Sequence, residues 1–483
     1  MLRAVLFRGF GVALALASCS TSSAEDAGPA GPGSSDASVD RLPDGALVSD
    51  GAALPGDGGS PFTPTGPAGS LDTSLGGAGY VIAPQALPAQ GSADVGHAVA
   101  IDSQQRIVAA GRVDSNLSSV GAYSALWRFS ESGAIDTSFA TGGTWTKSGT
   151  TGDVYEWANG VCVDASDRPY ATGATNSAGK LVLYRLTSQG ALDTAFNGTG
   201  FVTTTNTTGT GGDRGEQVAC VPGAVLVGGT GGYDIAAWRY LANGNADTSG
   251  FAAPKGFVNS HIAGREGFGH ALAVDGEQRV LVVGSHFTGA GGSETFVFRY
   301  SSNGVIDTSF GASGRALIPT ATAAGVTADG LGRVYVTGYG GGALRGTVVR
   351  LTNSGVLDAT FGSGGVATLP PEVGAPVGGI TRAFSLALDS KGRVVAAGSS
   401  TDATFSQGKM AVWRVTATGA LDASFGAGGV FTTGYTGGAP PTALIPDVAN
   451  AVAVDRFDRP VLAGATAFGG TGRSRLALWR LNP

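Results

Sequence analysis

Few side chains in this chain of 483 residues are equipped for chemistry, and they are scattered. The densest group is His261, Arg265, Glu266 and His270. An imidazole, a guanidinium and a carboxylate this close in sequence could exchange a proton, grip an anion or orient a polar ligand. Asp213, Arg214 and Glu216 make the next group. Five more polar residues, His97, Asn159, Gln217, His270 and Asn450, recur at one equivalent place in a repeated pattern. They could rim a site for a small ligand or peptide, or they could cap loop backbone groups. No group has the ligand spacing of a known metal site, so no metal and no cofactor are expected. There is no Gly-x-Ser-x-Gly elbow, no His-Glu-x-x-His and no Walker loop. The glycines from Gly338 to Gly342 resemble a phosphate loop, but no helical pattern follows to present an N-terminus.

The chain start carries a different signal. Arg3 and Arg8 flank the start of an apolar run, Gly9–Ala17, that is too short to span a bilayer permanently. The run ends in Leu16-Ala17-Ser18-Cys19, which resembles the bacterial lipobox. That resemblance implies a signal peptide over residues 1–18 and a lipid on Cys19, hence a membrane partner. Ser20 follows instead of aspartate, which in enteric-type sorting implies the outer membrane or cell surface. Residues 19–68 are Gly, Ala, Pro, Ser and Asp with few large apolar side chains, a composition that cannot offset its own chain entropy. They read as a disordered tether, with a root-mean-square span of roughly 35–40 Å. The remaining 69–483 are weakly charged, and the net charge of -6 excludes a broad basic surface for nucleic acid.

What must position the chemical residues is a repeat. "GSLDTSLGGAGYV" at Gly69–Val81 returns as "GAIDTSFATGGTW" at Gly133–Trp145 and "GALDTAFNGTGFV" at Gly190–Val202, then in shorter forms from Gly244, Gly304, Gly355 and Gly419. The seven aspartates, Asp72, Asp136, Asp193, Asp247, Asp307, Asp358 and Asp422, stand 51 to 64 residues apart. Each repeat holds four short runs, such as "HAVAID" at His97–Asp102, "RIVAAG" at Arg106–Gly111, "SALWRF" at Ser124–Phe129 and "GGVFTT" at Gly428–Thr433. Alternation and β-branched residues argue strands, and Gly, Ser and Asp between them argue turns. Four strands repeated seven times predict an all-β, seven-bladed β-propeller of four-stranded antiparallel blades. The first run, Tyr80–Ala83, is of the fourth type and the last, Leu476–Leu481, is of the third. Pairing them closes the ring and removes two open edges, so Tyr80–Ala83 is predicted to be the outer strand of the last blade.

The phrases "IDTSFG", "NAVAVD", "RVVAAG" and "VWRV" together resemble the delta-60 repeat family across essentially all of Gly69–Pro483. The resemblance implies a bacterial surface or secreted protein whose repeats build a propeller. It implies no activity.

Residues present in every blade are expected to serve the fold, and a site is expected where the blades differ. Asp102 and Arg106, four apart, recur in six repeats as an expected exposed clasp across the first hairpin. The third repeat loses both charges and has Pro222 in place of the aspartate. Arg128, Arg185, Arg239, Arg299, Arg350 and Arg414 each stand eight residues before a repeat aspartate, whose carboxylate could be an ion partner or a turn former. Arg480 has no downstream aspartate and Asp72 no upstream arginine, so these two are expected to meet at ring closure. Trp127, Trp238, Trp413 and Trp479 precede such arginines and are expected to pack between blades. Cys162 and Cys220 hold equivalent positions in neighbouring repeats. They are expected to point the same way round the ring, as small buried apolar residues and not as a disulfide. The second-to-third and fourth-to-first connections vary in length and share one face, where recognition is expected. The functional expectation is a monomeric, lipid-anchored binding or scaffolding head that contacts a protein, peptide or glycan. The alternatives are a lyase or hydrolase at the channel mouth and a purely structural envelope protein.

Overall fold

The computed structural model describes residues 62–483 apart from 88–91, 116–120, 150–154, 176–178, 206, 210, 289–291, 321, 341–343, 372–378, 402–407, 435, 438–446 and 469–472. Cys19 and the segments expected to be a signal peptide and a tether, as far as residue 61, lie outside the described residues. Seven four-stranded antiparallel sheets follow one another along the chain. Blade one comprises Ala93–Ile101, Ile107–Asp114, Ala122–Phe129 and Thr144–Lys147. The first strands of the later blades are Glu156–Val163, Gly212–Val221, Gly267–Val274, Thr322–Ala328, Ile380–Leu388 and Val448–Val454. Each first strand touches the first strands of both neighbours, and the last touches that of blade one, so these strands ring the axis. The chain is therefore a closed seven-bladed β-propeller. Second and third strands lie between neighbouring blades and are buried on both faces, which is why they read as near-continuous apolar runs.

Closure follows the predicted route. Tyr80–Ile82 pairs antiparallel with Arg473–Arg480, setting Tyr80 opposite Trp479, Val81 opposite Leu478 and Ile82 opposite Ala477. Packing begins earlier than the expected boundary at Gly69. The Phe62 ring stacks on Phe457 at 5.4 Å and the Arg459 guanidinium lies over it, while Thr65 donates to Asp72 at 3.0 Å. An aromatic side chain gains from burial what the surrounding small polar residues cannot, so Phe62 packs as part of the folded head.

A belt of arginine and aspartate runs round one face. Arg480 Nε meets Asp72 Oδ2 at 2.7 Å with both side chains buried. The same contact is 2.7 Å at Arg128–Asp136 and 2.8 Å at Arg185–Asp193, Arg299–Asp307, Arg350–Asp358 and Arg414–Asp422. Both readings of the aspartate hold, one oxygen each. In blade one Oδ2 takes the arginine, while Oδ1 accepts from the Ser138 backbone N–H at 3.1 Å and its hydroxyl at 2.5 Å. The arginine also reaches the next blade, as when Arg299 donates to Asn353 O at 2.6 Å and Arg480 to Glu131 O at 2.6 Å. Backbone bonds complete the belt. Gly76, Ala140, Asn197, Ala252, Gly311, Gly362 and Gly426 donate to Ser132, Gln189, Asn243, Asn303, Ser354, Thr418 and Ala68 in the following blade. The Asp102–Arg106 clasp is less exposed than its sequence suggests: Asp102 is buried and accepts Arg106 Nε at 2.6 Å and its backbone N–H at 2.8 Å.

The tryptophans pack between blades. Trp127 lies in one apolar cluster with Leu476 and Leu478 of the last blade, and Trp413 in one with Tyr335 and Val348 of blade five. The cysteines require a correction: Cys162 and Cys220 form a disulfide. The two were expected to be equivalent and to point the same way, but the register breaks at Asn159 in one first strand and at Glu216 in the next. Cys162 therefore stands three residues past its break and Cys220 four. Alternation then turns the two side chains towards each other in one cluster with Val218, with their Cα atoms 5.8 Å apart.

Candidate ligand site on blade three

Blade three departs from the repeat at several points. Its first hairpin turns through Pro222 and Gly223 alone, joining Val221 to Ala224. Its belt pair is loose: Arg239 Nε lies 3.4 Å from Asp247, and the arginine side chain is 23% exposed against 2% for Arg480. A single residue, Tyr233, separates its second strand, Ala224–Gly232, from its third, Asp234–Leu241. Gly232 makes that turn with φ 65, a conformation that favours glycine.

This short turn sets Tyr233 and Asp234 at the mouth of a cleft of about 630 Å³ on the variable-loop face. The outer strand Phe257–Ser260 and the segment after it supply Phe257, Asn259, His261 and Arg265, and Lys255 lies just ahead. Asp234, itself buried, organises the group. Its Oδ1 is 2.7 Å from His261 Nδ1 and its Oδ2 accepts from Asn259 Nδ2 at 3.1 Å. With Nδ1 engaged, His261 presents Nε2 outward, and its side chain is 58% exposed. Arg265 pairs with Glu294. The Lys255 ammonium lies over the Phe257 ring, 5.7 Å from its centroid.

Behind the cleft sits a buried polar knot. Asp213 is fully buried and accepts from Thr207 and from the Gly232 N–H at 3.2 Å, and Trp238 Nε1 donates to Thr207 Oγ1 at 3.1 Å. Burial pushes the Asp213 carboxyl above its ordinary value despite these donors. Burial likewise pushes the Tyr240 hydroxyl up to about 12, with its Thr204 partner working the other way.

The sequence cluster His261, Arg265, Glu266 and His270 is therefore divided. His261 and Arg265 enter the cleft. Glu266 is exposed, and its carbonyl accepts from Phe287 N at 2.9 Å. His270 belongs to the axial ring, with Nε2 3.2 Å from Ser285 Oγ.

The five residues proposed as a rim occupy β-bulges, with one exception. The register skips His97, Asn159, His270 and Asn450, so each forms the bulge of its first strand. In blade three the skipped residue is Glu216, and Gln217 pairs with Gly228. Counting back from Pro222 misplaced the equivalence because the blade-three bulge lies one residue further from its shortened hairpin. Three of the side chains join blades: His97 Nδ1 contacts Ala158 O at 3.0 Å, Asn159 donates to Gly215 O at 3.1 Å and Asn450 to Gly96 O at 2.8 Å. The bulge also explains the glycine nine residues after the clasp aspartate. A Cβ at Gly111 would stand 1.9 Å from Val95 O.

Sequence reading missed Tyr233, Asp234, Lys255, Phe257 and Asn259, because none stands in a motif. The available signal was the near-absent second-to-third connection. A second missed set, buried Asp94, Glu156 and Asp447, joins the singled-out Asp213 near the starts of first strands and anchors the incoming loops. Asp447 shows the pattern, accepting from Thr436 N at 2.8 Å and Thr466 Oγ1 at 2.6 Å.

These features define a propeller whose most irregular blade carries an open polar cleft. Its repeats match the domain of unknown function (DUF5122) beta-propeller at residues 279–310, 332–361 and 392–425. The delta-60 repeat read in the sequence is this kind of domain. No curated protein matches the chain. Among solved structures, the polysaccharide lyase Uly1 is 12% identical with a TM-score of 0.46, covering 83% of this chain and 91% of that one. The Dos1 propeller is 10% identical with a TM-score of 0.40, covering 83% and 93%. A protein of unknown function from Dyadobacter fermentans is 10% identical with a TM-score of 0.43, covering 83% and 97%. These likenesses are likenesses of fold alone.

Proposed function

We propose that this protein is the recognition head of a lipid-anchored envelope protein, binding its ligand in the blade-three cleft without transforming it. One observation carries the reading: the blade that breaks the repeat in its hairpin, its bulge and its belt pair is the blade that bears the cleft. A repeat kept for stability has no reason to diverge there, whereas a site needed once does. Asp234 is engaged by both His261 and Asn259, which fixes polar positions in the cleft, as recognition of a polar ligand requires. The disulfide supports an exported head, since such bonds persist in oxidising compartments. Cys19 would hold the head to the membrane, on the outer membrane or cell surface.

The test pairs the full chain with envelope extracts and glycan and peptide arrays. Wild type retains a ligand that is recovered chemically unchanged, and Asp234→Ala loses it. A ligand returned cleaved, or retained equally by Asp234→Ala, contradicts the reading. Cys19→Ser is expected to abolish incorporation of labelled fatty acid and release the protein from membranes.

A further inference from the structure

This inference rests on the blade-three cleft being the ligand site and adds the class of ligand. We propose that the cleft takes a carboxylated saccharide, with a pyranose face against Tyr233 and Phe257 and the carboxylate at Lys255.

The cleft offers three kinds of surface. Tyr233 is 39% exposed and Phe257 lines the same cleft, so two aromatic rings are offered to a ligand there. The C–H face of a pyranose packs on such rings. Next to them stand polar groups fixed in advance. Asn259 spends one N–H on Asp234 and keeps its other N–H and its carbonyl, and His261 turns Nε2 outward. A donor and acceptors held at set positions suit vicinal hydroxyls, each of which both donates and accepts. An apolar peptide side chain would leave these groups unmatched at a cost.

Charge selects among saccharides. Asp234 is buried behind Asn259 and His261 and Arg265 is paired with Glu294, which leaves Lys255 as the exposed charge at the edge of the cleft. Lys255 is exposed at the edge, with the Phe257 ring beneath its ammonium. A ligand carboxylate placed there gains a charge-assisted hydrogen bond, and a neutral sugar does not. The chain as a whole carries -6, so it has no general attraction for polyanions, and preference for an acidic sugar must arise locally.

Titration calorimetry of the full chain with an oligogalacturonate and with its methyl ester tests this directly. The two ligands share every ring atom and differ in charge. The acid is expected to bind about tenfold more tightly than the ester, the value of one charge-assisted contact. Lys255→Gln should bring the two within about threefold, chiefly by weakening the acid, and Tyr233→Ala should weaken both by about tenfold. Circular dichroism of each variant checks that the head is folded. If acid and ester bind equally and Tyr233→Ala still weakens both, the carboxylate assignment falls while the cleft stands. If saccharides bind but neither variant alters them, the cleft itself is the wrong site. If neither oligosaccharide binds while an array peptide does, the saccharide class is overturned.

Discussion

At the residue scale, each repeat aspartate divides its two oxygens between a local turn and an arginine eight residues earlier. The pairing was legible because the spacing survives in every repeat, and the seventh pair, Asp72 with Arg480, followed from counting what was left over. Burial makes the pairs unequal. The Arg480 and Asp72 side chains are 2% and 0% exposed, so removing one partner strands a buried charge. Arg480→Ala is expected to cost about 3–5 kcal/mol, read as loss of denaturant midpoint. Arg239→Ala removes a longer, wetter contact in blade three and should cost about 1 kcal/mol or less. Equal losses would mean the belt does not depend on burial. The cleft residues were not legible in this way. A site used once leaves no internal copy to compare, and Asp234 and Asn259 read as ordinary turn and strand residues until the fold brings them together.

At the element scale, strand order, ring closure and the loop-bearing face all followed from the run pattern, because period-two alternation and turn residues act locally. What escaped was which way the cysteines face. The one-residue shift of the blade-three bulge turns Cys220 towards Cys162 across the blade boundary, and the Cys162–Cys220 bond results. Bulge position escaped too, since it depends on hairpin length, and so Glu216 stands where Gln217 was expected. The disulfide joins blades two and three across a sequence separation of 58. Reduction, or Cys162→Ala with Cys220→Ala, should lower stability by about 2–4 kcal/mol, and blade three should gain the most hydrogen exchange. Unchanged melting after verified reduction would contradict a stapling role. Truncation to begin at Ala83 removes the outer strand of the last blade. It should leave Arg473–Arg480 as an open edge, seen as concentration-dependent association in sedimentation.

At the scale of the whole molecule, the ring is held by carboxylates that must stay ionised. Burial raises the carboxyl pKa of Asp72, Asp136, Asp307, Asp358 and Asp422, but in each the hydroxyl and N–H of the residue two positions on, together with the arginine, outweigh it and hold the group below its ordinary 3.8. A carboxyl held lower in the folded than in the unfolded chain adds stability above the unfolded value, and that stability is lost as pH falls through the folded value. Asp94 and Asp213 shift the other way, chiefly by burial, so protonation does not penalise the folded state at these loop anchors. Acid should therefore open the belt first. The stability gap between wild type and Asp72→Asn should be full at neutral pH and close as pH drops below 3.8. A gap that persists in acid would contradict the ion-pair account. The belt makes the ring rigid on one face and leaves the other free to vary, and blade three uses that freedom. The most direct test is hydrogen exchange of the full chain with and without an oligosaccharide that it retains. Protection confined to 207–208, 233–234 and 255–265 is the predicted result. Protection centred instead on the axial bulges at His97, Asn159, Glu216, His270 and Asn450 would contradict it.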